Sequence, residues 1–171
     1  MRKALRFIVT SIDYISRMSG QILSYLLFLM IFIVLYEVIA RYLFNSPTSW
    51  SLEAATMIFG TYMVGGGAFA VLSKAHVNMD IFYSKWSERS KAIVDTCTFP
   101  IISFYFSMMC WQAVSYGIES FSIHEHASSV WGPSLYQWKI VVAIGLILLW
   151  LQIVSDFLKN LTLAITGEKL L

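Results

Sequence analysis

Four stretches of this chain, about Ile22–Phe44, Leu52–Leu72, Ala92–Gly117 and Leu135–Leu158, are apolar over at least the roughly 20 residues that a helix needs to cross a bilayer. Backbone groups in lipid must be satisfied within their own segment, so each stretch reads as a membrane-spanning helix. The intervals between them are too short to fold as soluble domains, and residues 1–171 therefore read as one membrane domain. Hydrophobic residues make up 58% of the chain and charged residues 13%. A soluble domain carries roughly 25% charged residues, so a water-soluble monomer is excluded.

The basic start MRKALRF suggests a secretory signal peptide at first sight. The apolar run that follows outlasts a typical signal-peptide core, and no small-x-small cleavage site precedes Pro47, so the start is expected to be retained. Cys97 and Cys110 fall in one predicted helix, about 20 Å apart along it. They cannot bridge each other. No Cys or His pattern of a metal or haem-attachment site occurs.

Charge sets the expected orientation. Arg2, Lys3, Arg6 and Arg17 precede the first span; Lys74, Lys85, Arg89 and Lys91 fill the second connection; Lys159 and Lys169 follow the last span. The first connection (45–51) and the third (118–134) carry no Lys or Arg. The positive-inside rule then places both termini and the second connection in the cytoplasm. Arg41 and Lys139 oppose it weakly, each lying inside a span near its outer end.

On a helical wheel Arg2, Lys3, Arg6, Thr10, Asp13 and Arg17 share one side, and Leu5, Ile8, Val9, Ile12 and Ile15 the other. Residues 2–19 thus read as an amphipathic helix on the inner membrane surface, with a stripe facing a protein partner as the other reading. After Asn78, the segment MDIFYSKWSERSK mixes aromatic and basic residues and suits a short helix at headgroup level.

The first outer connection concentrates the remaining chemistry. Glu37 and Arg41 are spaced to pair on one helix face. Glu37 lies too deep to reach the surface easily, and an unpaired acid at that depth costs several kcal/mol. The pair reads as a latch, joined by Glu53 in the next helix; the other reading is a cation or proton site. Pro47 ends the first helix, and Ser49 or Ser51 is available to cap the second. Trp50 sits at the expected interface, and Glu53 meets the positive end of the helix dipole.

Arg41-Tyr42, Asn45, Trp50, Glu53, the glycines Gly65, Gly66 and Gly67, then His76 with Asp80 four residues on, follow one another in an order that resembles the small membrane subunit of tripartite ATP-independent periplasmic (TRAP) transporters. The match runs from about Glu37 to Asp80, with a weaker echo in Gly132-Pro133. The resemblance implies a non-catalytic scaffold subunit in a bacterial inner membrane, beside a large transmembrane subunit that binds substrate and sodium and moves as an elevator. It also implies a periplasmic binding protein that delivers an organic acid. No cofactor is then expected in this chain, sodium belongs to the large subunit, and Glu37, Arg41, Trp50, Glu53, Gly65, Gly66, Gly67, His76 and Asp80 are structural or subunit-interface candidates.

Gly65, Gly66 and Gly67 make a smooth face for close backbone approach, within the bundle or to a partner. Pro100 predicts a kink in the third span. Trp111, Phe104 and Phe106 are expected to face lipid or a partner, and Trp131, Tyr136 and Trp138 to form an outer aromatic belt, with Pro133 in the first turn of the last helix. His124-Glu125-His126 reads as a solvated loop, and no nucleic-acid surface is present. Two other functions fit a small helical membrane protein. A small multidrug-type exporter would use Glu37 as its proton site, yet Arg41 competes for it one turn away. A haem anchor needs histidines inside the bundle, and all three lie outside the spans.

Overall fold

The computed structural model describes residues 2–73 and 86–167, with the side chains of Arg2, Ala4, Glu88, Arg89 and Thr166 left undescribed. His76, Asp80 and the aromatic stretch after Asn78 lie outside the described residues, apart from Trp86 and the start of the helix that follows it. Among the described residues four helices follow one another: α1 (Arg2–Tyr42), α2 (Ser51–Leu72), α3 (Glu88–Ser122) and α4 (Leu135–Thr166). Each is long and apolar enough to cross a membrane. The protein is an all-α, multi-pass membrane bundle.

All four helices outrun or match the apolar cores seen in the sequence. The largest difference is in α1. Its 41 residues form one unbroken helix, about 62 Å long at 1.5 Å per residue. A separate amphipathic helix over 2–19 is not formed; the same helix continues into the first span. The physical reason lies in its packing. Val9 and Ser16 are buried, and Asp13 bonds to α4, so part of the polar stripe faces the bundle and is held in line with the span. Arg6, Thr10 and Arg17 stay exposed.

Local chemistry sets the ends. α1 stops where Asn45 takes a left-handed backbone (φ 50°), a conformation that asparagine tolerates better than most residues, and Pro47 follows. α2 begins after Trp50, whose side chain makes no capping bond; neither Ser49 nor Ser51 caps it, because Ser51 turns its hydroxyl to Glu37. Ser87 caps α3 by accepting from the Ser90 amide at 3.2 Å. That helix passes through Pro100 without a break. Ser134 stands at the N-cap of α4 with Pro133 just ahead of the helix, and Gly167 closes it in the left-handed region.

α4 is the centre of the bundle and packs on each of the other three helices, whereas extended packing of α3 is with α4 alone. A third of its most apolar window is buried, against none of the corresponding windows of α1 and α3. Ala143, Leu146, Leu149, Gln152 and Ser155 carry this buried face. Glycines bring α2 against it. A Cβ on Gly145 would stand 3.2 Å from the Gly65 nitrogen, and a Cβ on Gly65 would overlap Leu23 of α1. Close approach of this kind drives helix association in lipid, where burial of apolar surface supplies little. Gly67 touches Leu149, while nothing lies within 4 Å of a Cβ on Gly66. Two of the three consecutive glycines therefore serve this chain's own packing.

Candidate functional site

The polar groups gather at the two ends of the bundle. At the end that carries the α1–α2 and α3–α4 connections, Glu37 is the hub. Its Oε1 accepts from Arg41 Nε at 2.9 Å and from Arg41 Nη2. Its Oε2 accepts from the Thr48 amide at 3.1 Å, from the Thr48 hydroxyl and from Ser51 Oγ at 2.7 Å. Both oxygens of a largely covered carboxylate are thus engaged, its side chain being 14% exposed against 50% for Arg41. Glu37 pins the turn down to α1. It does more than pair with Arg41, and Glu53 is not part of the arrangement.

Glu53 instead reaches across the bundle, where it accepts from Ser129 Oγ at 2.8 Å. Ser129 also holds the Gly132 amide at 3.2 Å, which stabilises the left-handed Gly132 (φ 62°). Trp50 lies between Tyr36 and Trp131, with ring centroids 6.0 and 6.5 Å away. Trp138 donates its indole N–H to the Met57 carbonyl at 3.0 Å and fills the space over Gly60. The two connections therefore form one surface. The longer connection is closed by its own backbone, the Ala127 amide bonding to the Pro133 carbonyl at 2.9 Å and the Leu135 amide to the Glu125 carbonyl at 3.0 Å.

Lys139, which looks unpaired in the sequence, reaches Glu125. That bond holds the Glu125 carboxyl below its ordinary pKa. His126 Nδ1 lies 3.1 Å from the Gly132 carbonyl, and both His124 and His126 stack edge-on against Tyr136. No metal-binding cluster occurs among the described residues.

The opposite end holds a second hub that sequence reading missed. Asp13 accepts from Gln152 Nε2 and Ser155 Oγ, both at 3.0 Å, and from Lys159 Nζ at 2.9 Å. Lys159 also holds Asp156 at 3.0 Å. Asn160 donates to Asp95 at 3.0 Å, tying α4 to α3. The sequence signal was present only in part. Asp13 stood in a polar stripe, but nothing local paired it with residues more than a hundred positions later.

Of the candidates, the structure brings Glu37 and Arg41 together and sets Trp50 and Glu53 against the α3–α4 connection. Gly65 and Gly67 lie in the α1–α2–α4 core. The Glu37 carboxylate is engaged on both oxygens and Glu53 on one, bonds suited to holding helices in register.

The conserved-family model described as "Tripartite ATP-independent periplasmic transporters, DctQ component" matches residues 30–163, which takes in the Glu37 hub, the glycines and most of α4. This chain belongs to the DctQ family. Over 89 residues it is 29% identical to the sialic acid TRAP transporter small permease protein SiaQ of Vibrio cholerae serotype O1, a match covering 52% of this chain and 48% of that protein. The chain thus spans about half the length of that curated relative. As a DctQ-type small subunit it is a transport component and not an enzyme.

Proposed function

We propose that this DctQ chain is the fixed scaffold subunit of a sodium-driven secondary transporter in a bacterial inner membrane, with residues 1–171 forming one membrane domain. Both termini and the 74–85 connection are cytoplasmic, in keeping with the distribution of Lys and Arg. A large transmembrane subunit carries substrate and sodium, and a periplasmic binding protein delivers an organic acid. Glu37, Arg41, Trp50, Glu53 and the glycines act structurally; His76 and Asp80 belong to the cytoplasmic connection.

The observation that carries this reading is the saturation of Glu37. An ion path needs acceptors that can exchange partners within the membrane. Here the deep carboxylate is engaged on both oxygens by Arg41, Thr48 and Ser51, which supports a rigid part over the proton site that an exporter would use. Packing of α4 on all three other helices supports a body that resists deformation while a neighbour moves.

Reconstitution in liposomes under a sodium gradient tests it. This chain alone, the large subunit alone, and both with the binding protein are compared. Uptake only with all components is the expected result, and accumulation by this chain alone would overturn the reading. Reporter fusions check orientation, with a periplasm-active reporter silent after Glu88 and active after His126.

A further inference from the structure

Asp13 and Arg17 repeat, near the start of α1, the spacing that joins Glu37 to Arg41 at its end, an acid four residues before a base. The structure does not close this second pair. Asp13 is turned to α4, where Lys159 Nζ lies 2.9 Å from each of its oxygens and Gln152 and Ser155 donate to the same carboxylate. Arg17 is exposed, and its guanidinium has no partner among the described residues. Asp13 is also the one acid within two turns of it in the sequence, so its charge stays uncancelled along α1.

Two further donors share the face of Arg17. Tyr14 stands three residues before it and Gln21 four after, hence on one side of the helix. Both are exposed, and neither side chain is bonded among the described residues. Further along, the same side carries Tyr25, Phe28 and Phe32, all exposed. The face thus changes from a phenol, a guanidinium and an amide to bare aromatic rings. That change falls where the membrane changes. The apolar core of the span starts at about Ile22, and Arg17 lies about 7.5 Å before it along an unbroken helix. Headgroups occupy about 5–7 Å on each side of the hydrocarbon. Side chains lean toward a helix N-terminus, so Arg17 and Gln21 point away from the hydrocarbon and into that layer. A helix that runs straight into its span cannot carry these residues past the headgroups, and the leaflet itself is what covers them.

We propose that Tyr14, Arg17 and Gln21 form a binding site for one anionic phospholipid of the cytoplasmic leaflet, with its phosphodiester held by the three donors and an acyl chain lying along Tyr25 and Phe28. The leaflet follows from the orientation proposed above; the site itself follows from the face of α1. Arg17 selects the lipid. A guanidinium meets a phosphate through two parallel hydrogen bonds, and a zwitterionic headgroup brings a cation of its own that competes for the same oxygens. Lys159 acts on the site through Asp13. By occupying that carboxylate it denies Arg17 the partner that the helix offers, so the hub that ties α1 to α4 also leaves a cation for the membrane.

The test titrates the full chain, purified in detergent and stripped of lipid, with phosphatidylglycerol or with phosphatidylcholine, and counts the retained lipid by native mass spectrometry. Phosphatidylglycerol is expected to bind about fivefold more tightly, the factor that one arginine near a membrane surface contributes toward anionic lipid. Arg17→Gln should abolish that preference. Arg6→Gln, which removes the same charge about 16 Å away along the helix, should leave it intact. Glycerol phosphate, the same anion without acyl chains, should not displace the lipid. Equal retention of the two lipids by the unaltered chain, an equal loss of preference in Arg6→Gln, or displacement by glycerol phosphate at the concentration of the lipid would each overturn the proposal. Only this chain and lipid enter the measurement, so its failure is distinct from failure of the scaffold reading, which the reconstitution with the large subunit decides.

Discussion

Asp13 on α1 and Lys159 on α4 stand 2.9 Å apart, joining the two helices at the end opposite the charged turn. The same carboxylate also receives Gln152 and Ser155, which are fully buried. Asp13→Leu is expected to strand these donors at about 1–3 kcal/mol each, and Asp13→Asn, which keeps one acceptor, to cost less. Melting temperatures of the purified chain in detergent check the order; equal melting of Asp13→Leu and wild type would show that the hub carries no stability.

Gly145 and Gly65 set the distance between α4 and α2. The site is rigid on the partner side because a new Cβ would meet, besides Val64 Cγ1 at 3.1 Å, the Gly65 backbone at 3.2 and 3.3 Å. Gly145→Val should therefore destabilise by about 1–3 kcal/mol through overpacking. Gly66→Ala, in open space, should be neutral or slightly favourable. Thermal unfolding of the two variants side by side gives the comparison, and a neutral Gly145→Val would contradict the close contact.

Glu37 keeps three donors from the turn when Arg41 is removed. Arg41→Ala is accordingly expected to be mild. Glu37→Leu, which orphans Arg41, the Thr48 amide and the hydroxyls together, should lower the melting temperature further. Sodium dependence of uptake in the assembled transporter should be the same for Glu37→Gln as for wild type. Loss of sodium coupling in a normally assembled Glu37→Gln complex would restore the ion-site reading.

The Glu125–Lys139 bond predicts a pH dependence. Its carboxyl is lowered in the folded chain by the Lys139 hydrogen bond, so the stabilisation is present above the ordinary carboxylate value, about 4.3, and is lost as pH falls through the lowered one. The melting temperature of wild type minus that of Glu125→Gln should be flat from neutral to about pH 5 and shrink below about pH 4. A difference that grew on acidification would reverse the assignment.

Much of this protein followed from one-dimensional pattern. Span length and apolar composition decide that four helices cross the membrane, because an unpaired backbone in lipid is prohibitive whatever the tertiary fold. The i,i+4 spacing made the Glu37–Arg41 bond legible, since a helix alone brings those side chains together, and the order of residues from Glu37 to Asp80 pointed to the family to which residues 30–163 conform. The tertiary structure decided what has no local signature. Thr48 and Ser51 turn inward to Glu37 only because the turn folds back over α1. Ser129 meets Glu53 across 76 residues, and Asp13 meets Lys159 across 146. Residues 2–19 carry the amphipathic pattern of a surface helix, and yet they continue straight into the span. Periodicity reports which side of a helix is polar; the atoms that satisfy that side are chosen by the neighbour that packs against it.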